Sequence, residues 1–266
     1  MRGGFFDFFS AGIAYNRFGI RFMNILRSFA LFALASVVFA MYGCAGSGSD
    51  DPTTSISGQW IGNLTSSGGG NSCELAVQYS VDGSSVGGRA ILTRGSGTAT
   101  RSYLGTVSGT ASSGTVEVNL SFSSGPVTAL QITENSLGDS IIGSYDTGSE
   151  TGTLQQSKFG SSTAVTMGNT LAGTFTNAEG ASNPLDLTVT GLSGTTVAGS
   201  IHVNGIASSF DGVLVADRFV IGTGLDDGTS VTFTGLVGVS TYGGTYVSTK
   251  SGSSRFGTFS VAKPLE

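Results

Sequence analysis

This 266-residue sequence contains little charge, little proline and only two cysteines. Charged residues make up 11% of the chain, and there are 4 prolines beside 43 glycines. The low charge excludes a highly charged disordered polymer, and the scarce proline with no three-residue glycine period excludes collagen. Helices are disfavoured as well, because each glycine inside a helix costs about 1 kcal/mol. Glycine together with abundant Thr, Ser and Val therefore predicts an all-β protein.

Basic residues are few and scattered. The chain has a net charge of −5, but residues 1–43 hold four Arg and one Asp, so the remainder carries −8. Proteins that bind nucleic acid carry a basic patch that contacts phosphates. The eight basic residues beyond residue 43 form no such patch, and nucleic acid is excluded as a partner.

Residues that could catalyse a reaction or bind a metal are also rare. His202 is the only histidine, and its alternation with Ile201 and Val203 predicts that it faces solvent. Cys73 begins a strand on its apolar face and is interpreted as a small buried hydrophobe, with a reactive thiol as the alternative. His and Cys are too few for a metal site built from them. We therefore predict no enzyme and no catalytic, cofactor-binding or metal-binding residues.

Two short patterns resemble functional loops but lie in the wrong context. Residues 83–87 match Gly-x-Ser-x-Gly, yet a hydrolase nucleophile elbow needs a helix after it, and here another strand is predicted. Residues 226–228, Asp-Asp-Gly, lack the alternating oxygen ligands of an EF-hand and predict a hairpin turn. Both patterns are interpreted as turns between strands.

The longest hydrophobic run, residues 28–43, lies near the N-terminus. It is shorter than the ~20 residues that span a bilayer as a helix and has the length of a signal-peptide core. Arg27 supplies the preceding positive charge, and translation could start at Met1 or Met23. Residues 1–43 are therefore predicted to be an upstream extension and signal peptide.

The end of this run, Met41-Tyr42-Gly43-Cys44, resembles the lipobox of bacterial lipoproteins. The resemblance implies that Cys44 is lipidated and becomes the new N-terminus, while Ala45 implies transfer to the outer membrane. Residues 44–55 then form the lipidated cysteine and a flexible tether. The expected localisation is export and lipid anchoring to the cell envelope, and the alternative is an ordinary cleaved signal with an incidental cysteine.

The pattern of strands and turns in the rest of the chain indicates two copies of one barrel. Short strand-forming runs alternate with glycine-containing turns about every ten residues, and eight such runs in each copy suffice for a small up-and-down barrel. We align residues 56–60 with 171–175, and Gly143-Ser144-Tyr145 with Gly244-Thr245-Tyr246. Two tandem eight-stranded antiparallel barrels are predicted, at 56–158 and 171–266, with a linker at 159–170.

Gly58-x-Trp60 resembles the opening motif of the lipocalin and avidin group of barrels. The resemblance implies that Trp60 plugs one end of the first barrel and Phe175 one end of the second. No ligand-binding set of that group matches this chain residue by residue. The alternation predicts a mostly apolar interior whose candidate lining includes Trp60, Tyr79, Phe122, Phe175, Val203 and Phe233.

These features favour a non-enzymatic, lipid-anchored envelope protein. It would contact the membrane through its anchor, need no cofactor, and bind a small hydrophobic ligand or an envelope protein. One alternative is an integral outer-membrane β-barrel, since alternation alone does not say whether the apolar face meets lipid or a core. The other alternative is a surface structural or adhesive module.

Overall fold

The computed structural model describes residues 56–69, 72–112, 115–123, 129–160 and 165–264, without the side chains of 98 and 134–137. The predicted signal peptide, Cys44 and the tether lie outside these ranges. No helix within them is long and apolar enough to cross a membrane. All the strands of the described residues lie in one compact unit.

The described residues contain sixteen strands. Those of the first barrel are β1 Gly58–Ser66, β2 Cys73–Asp82, β3 Ser85–Arg94, β4 Arg101–Ser112, β5 Thr115–Phe122, β6 Ala129–Leu137, β7 Ser140–Asp146 and β8 Thr151–Lys158. Those of the second are β9 Thr170–Asn177, β10 Ser182–Ser193, β11 Thr196–Val203, β12 Ile206–Val215, β13 Arg218–Gly224, β14 Ser230–Val237, β15 Thr241–Lys250 and β16 Ser253–Ala262. A short 3-10 turn, Gly97–Ala99, precedes β4.

Each set of eight strands closes into an antiparallel barrel in which neighbours in sequence are neighbours in space. β8 pairs back with β1, placing Leu154 opposite Leu64, and β16 pairs with β9, placing Phe259 opposite Phe175. The predicted all-β fold with two tandem eight-stranded up-and-down barrels is confirmed. Among the strands described, closure leaves neither sheet with an unpaired edge that could pair with another chain.

Strand alternation explains the two cores. In β5, Val116, Val118 and Leu120 are buried whereas the residues between them are exposed. The apolar sets of all eight strands meet inside each barrel and form one core apiece. Tight hairpins help to set the register: at Asn204-Gly205 both residues have positive φ, 51° and 79°, as a two-residue turn of a twisted hairpin requires.

The internal repeat is present, but its opening alignment is shifted. A Cβ added to Gly62 would lie 2.6 Å from the Cα of the residue opposite in β8, and one added to Gly173 would lie 2.6 Å from the equivalent Cα in β16. Gly173 thus corresponds to Gly62, so the counterpart of Trp60 is Leu171. The prediction that paired Trp60 with Phe175 is wrong by four residues, because it matched aromatics where the fold matches close backbone approaches.

The two barrels pack against each other through outward-facing side chains. Ala76 and Ile91 of the first barrel form a buried apolar cluster with Val215 and Val220 of the second. At the edge of this cluster, the Ala216 N–H donates a hydrogen bond to the side-chain oxygen of Gln59, 3.0 Å away.

Arg218 adds an ion pair to this interface. Its Nη2 donates to Glu74 Oε2 at 2.8 Å and its Nε donates to Glu74 Oε1. Such bidentate pairs restrict orientation more than a single ion contact does. Apolar burial and this paired contact together hold the barrels in one arrangement.

Candidate functional site

One end of each barrel is covered by the segment that enters its first strand. In barrel 1, the Trp60 indole is fully buried and its N–H donates to the Ile56 carbonyl at 2.7 Å. The Lys158 Nζ lies 5.7 Å from the centre of the Trp60 ring, within the range of a cation–π contact. Trp60 therefore plugs this end, which we call the linker end.

In barrel 2, a different aromatic residue covers the linker end. The Tyr242 hydroxyl accepts a hydrogen bond from the Thr166 N–H at 2.7 Å, and the Lys263 Nζ lies 5.3 Å from the ring centre. Phe175 was expected to plug barrel 2 here, but it lies toward the opposite end. The void behind Tyr242 measures only about 20 Å³ and is lined by apolar side chains, so the core is filled at this end.

The opposite end of barrel 2 is open. A cavity of about 170 Å³ lies between the hairpins there; we call it the barrel 2 mouth. Phe175, Phe233 and Tyr246 form its aromatic floor, with the Phe175 and Tyr246 rings edge to face at 5.3 Å. Polar residues lie around the floor, namely Asn177, Asn183, Thr229, Ser248 and Arg255.

Two polar groups of the mouth have no internal partner. Among the described residues, neither the Arg255 guanidinium nor the Tyr246 hydroxyl makes a hydrogen bond or an ion pair. Burial raises the pKa of Tyr246 above its ordinary value, and the charge of Glu179 raises it further while Arg255 lowers it. A neutral phenol and an unpaired guanidinium beside an aromatic floor can together bind a carboxylate attached to an apolar body.

Barrel 1 carries the same tyrosine with a different neighbour. Gly152 faces Tyr145 as Gly257 faces Tyr246, so residues 150 and 255 occupy equivalent positions. Glu150 stands where barrel 2 has Arg255, and the Tyr145 hydroxyl donates to Glu150 Oε1 at 3.0 Å. Burial and this bond raise the pKa of Tyr145 to about 12. The phenol that is unpartnered in barrel 2 is thus bonded in barrel 1.

The candidate interior residues lie in or beside the two cores. Trp60, Tyr79 and Phe122 belong to the barrel 1 core. In barrel 2, Val203 and Phe233 are buried and Phe175 is partly buried against them. Three of the predicted residues meet at the mouth: Phe175, Val203 and Phe233.

Sequence reasoning missed Tyr246 and Arg255 as site residues. The sequence does contain a signal for Arg255. Aligning Gly152 with Gly257 also aligns Glu150 with Arg255, and the two residues have opposite charges. A charged residue on one strand does not indicate a binding site, however, until the structure of the barrel shows that its position faces a cavity.

The remaining candidates are placed away from this site. His202 is exposed on β11, as predicted. Cys73 begins β2 and packs partly buried against the barrel 1 core, where burial raises the pKa of its thiol, the opposite of what a nucleophile needs. Residues 83–87 form a turn and the start of β3, and Asp227 lies in a hairpin turn beside the Lys250 ammonium, 2.8 Å away.

Gln156 is a buried polar residue inside barrel 1. It lies on β8 opposite Gly62, is 1% exposed, and neither its Nε2 nor its Oε1 has a hydrogen-bond partner. The equivalent residue of barrel 2 is Val261. A buried amide without partners destabilises a fold, so the polarity of the two cores differs at this position.

Comparisons with known proteins give no family. No family model matches the chain, and no curated protein matches it. Among solved structures, it is similar to kievitone hydratase from Nectria haematococca at 10% identity and a TM-score of 0.24, over 83% of this chain and 93% of that one. It is also similar to a protein of unknown function from the DUF3598 family of Nostoc punctiforme at 12% identity and a TM-score of 0.25, over 83% of this chain and 100% of that one. Scores this low carry no argument about function.

Proposed function

We propose that this protein is a non-enzymatic, lipid-anchored protein of the cell envelope that binds a small amphipathic ligand in the barrel 2 mouth. One observation carries the ligand proposal: an aromatic-floored cavity of about 170 Å³ with an unpartnered guanidinium at its side. The volume lies below the ~300–1,000 Å³ of typical small-molecule sites. The ligand is therefore a single ring or a short acyl group that carries a carboxylate.

The direction of the strand alternation supports an anchored protein over an integral membrane barrel. A barrel embedded in lipid needs an apolar band on its outer face. In β5 the apolar residues point inward and Glu117, Asn119 and Ser121 are exposed. Few large apolar side chains of the described residues are exposed at all, and they are Ile142, Met167, Leu192, Leu236, Val239 and Phe256.

The anchor itself rests on the sequence around Cys44. A lipobox-like segment ends a hydrophobic run of signal-peptide length, and acyl chains contribute ~0.8 kcal/mol per buried CH₂ to membrane binding. Growth with a clickable palmitate analogue should label the wild-type protein and leave Cys44→Ser unlabelled. Labelling that survives Cys44→Ser would overturn the anchor.

Calorimetry with phenylacetate and its neutral isostere phenylacetamide tests the ligand class on the purified full chain. A hydrogen bond to a charged group contributes about 1.5–3 kcal/mol, so phenylacetate should bind at least tenfold more tightly. Arg255→Gln should abolish this preference, and Tyr246→Phe should reduce it.

Glu150→Gln is the matched control, because Glu150 is the residue of barrel 1 that is equivalent to Arg255 of barrel 2. It should leave phenylacetate binding unchanged. Equal affinity for the acid and the amide, or equal binding by Arg255→Gln, would refute the proposed site.

A further inference from the structure

The outer faces of the two barrels enclose a second cavity, which we call the inter-barrel cleft. Its volume is about 420 Å³, larger than the barrel 2 mouth and within the ~300–1,000 Å³ of small-molecule sites. Residues of β2, β3 and β4 line one wall, and residues of β13 to β16 line the other. The cleft therefore exists only because the two barrels pack together.

Each wall carries a cross-strand row of polar side chains. On barrel 1 the row runs from Glu74 through Thr93 to Ser102, which are paired in register on adjacent strands. On barrel 2, Thr234, Thr245 and Thr258 form the matching row on β14, β15 and β16. The Cβ atoms of residues directly opposite each other in such pairs lie about 5 Å apart. The cleft thus presents two facing ladders that consist mostly of hydroxyl groups.

These hydroxyls keep hydrogen-bonding capacity for a ligand. The Thr93 and Ser102 hydroxyls bond each other at 2.7 Å, and the Thr245 hydroxyl donates to the Thr100 carbonyl at 3.1 Å. Among the described residues, the hydroxyls of Thr234 and Thr258 have no partner. Every hydroxyl can donate one and accept two hydrogen bonds, so each wall has unused donors or acceptors.

The charges beside the cleft are already compensated. Arg218 binds Glu74 through two nitrogens and Asp217 through Nη1 at 2.6 Å. Burial lowers the pKa of Arg218, but the bonds and charges of the two carboxylates outweigh it and raise the pKa overall. The described lining offers an anion no unpaired cation, whereas the outer lone pairs of Glu74 can still accept hydrogen bonds from hydroxyl groups.

A purely apolar ligand does not suit these walls either. It would remove water from the hydroxyls without replacing their hydrogen bonds, which disfavours binding at each group left unsatisfied. The cleft does offer one apolar contact, Leu236, whose side chain is 42% exposed beside Gly243. Its chemistry suits a neutral molecule with many hydroxyls and one C–H face.

We propose that the inter-barrel cleft binds a neutral saccharide. The hydroxyl rows contact the edges of the sugar, Glu74 accepts from two of its hydroxyls, and Leu236 packs against the C–H face of the ring. This site is independent of the barrel 2 mouth and uses none of its residues.

Saturation-transfer NMR on the purified full chain tests the proposal. The probes are glucose, galactose, mannose, N-acetylglucosamine and their β-1,4-linked disaccharides, each at millimolar concentration. At least one should receive saturation, and Thr234→Val combined with Thr258→Val should weaken its binding at least tenfold. Leu236→Trp, which fills the cleft, should abolish the signal.

Thr133→Val combined with Thr153→Val is the matched control, because both residues are exposed on β6 and β8, away from the cleft. It should leave saccharide binding unchanged, and circular dichroism should show that all variants are folded. Tighter binding of a tetrasaccharide than of a disaccharide would identify a polysaccharide segment as the ligand. Equal affinity for the two would identify a free sugar as the ligand. Absence of saturation in every probe, or an equal signal from the Thr234/Thr258 double variant, would overturn the proposal.

Discussion

The mouths of the two barrels share a tyrosine but surround it with opposite charges. In barrel 1, Tyr145 donates to the Glu150 carboxylate. In barrel 2, Tyr246 has Arg255 at the equivalent position and an open aromatic cavity beside it. The residue at this position therefore decides whether the tyrosine hydroxyl has an internal hydrogen bond.

The two cores share their backbone contacts and differ in their side chains. The backbone approaches are shared, since Gly62 and Gly173, and likewise Gly152 and Gly257, lie where any larger residue would meet the neighbouring strand. The side chains between them differ more freely. The aromatic plug of the linker end lies on β1 in barrel 1 and on β15 in barrel 2, and both meet a lysine from the end of the barrel. The two copies therefore share their backbone geometry and differ in the side chains that it supports.

The largest effect should follow from filling these shared glycine positions. A Cβ at residue 152 would lie 2.7 Å from Tyr145 Cζ, and one at residue 257 would lie 2.9 Å from Tyr246 Cζ, with a backbone carbonyl closer still. Overpacking usually costs about 1–3 kcal/mol, and a backbone clash lies at the upper end. We expect Gly152→Ala and Gly257→Ala each to lower the free energy of unfolding by about 3 kcal/mol, measured by urea denaturation.

Gly222→Ala is the control for that experiment. A Cβ at this position on β13 would meet nothing within 4 Å, so stability should hardly change. If Gly152→Ala and Gly257→Ala were as stable as Gly222→Ala, the close backbone approach at both glycines would be refuted. A large loss of stability in only one of them would contradict the structural equivalence of the two copies.

The next largest effect concerns a core position that is polar in barrel 1 and apolar in barrel 2. Gln156 is buried without partners, and barrel 2 has Val261 there. Removing an unsatisfied buried amide should stabilise the protein, so Gln156→Val should raise the free energy of unfolding by about 1–2 kcal/mol. The reciprocal Val261→Gln should lower it by about 2 kcal/mol. A loss of stability in Gln156→Val, seen in the same urea titration, would show that the amide is satisfied in solution.

The architecture could be predicted from sequence because its determinants are local. Alternation over five or more residues and glycine turns define strands one at a time, and two sets of eight strands lead to closure. The first repeat alignment failed because Gly-x-aromatic occurs as Gly58-x-Trp60 and Gly173-x-Phe175 in different registers of the sheet. Sequence similarity pairs Trp60 with Phe175, whereas the close approach of two backbones at Gly62 and Gly173 pairs Trp60 with Leu171.

The sites could be predicted only in part. The apolar lining follows from alternation, and it included Phe175, Val203 and Phe233 of the mouth. The unpartnered state of Arg255 depends on which strand ends meet across the barrel, and the inter-barrel cleft depends on packing between residues 144 positions apart, as in Arg218 and Glu74. Neither arrangement leaves a pattern that can be read along the chain.

The smallest expected effect is a difference in acidity between the two tyrosines. Burial and the Glu150 carboxylate raise the pKa of Tyr145 to about 12 from its ordinary value of 10.0. Because the folded-state pKa is raised, the corresponding stabilisation is fully present below pH 10 and is lost as the pH rises from 10 to 12. Phenolate absorbance near 295 nm should therefore include a step near pH 12 that belongs to Tyr145, besides the raised step of Tyr246.

Variants at residue 150 assign that late step. Glu150→Gln removes the acceptor charge, so the pKa of Tyr145 should fall below 12, although burial keeps it above the ordinary value. Tyr145→Phe should delete the step, and Tyr246→Phe should leave it in place. Arg255→Glu gives barrel 2 the charge found in barrel 1, so Tyr246 should then ionise at higher pH and phenylacetate binding should be lost. An unchanged titration of Tyr246 in Arg255→Glu would mean that residue 255 does not act on the mouth as its counterpart acts in barrel 1.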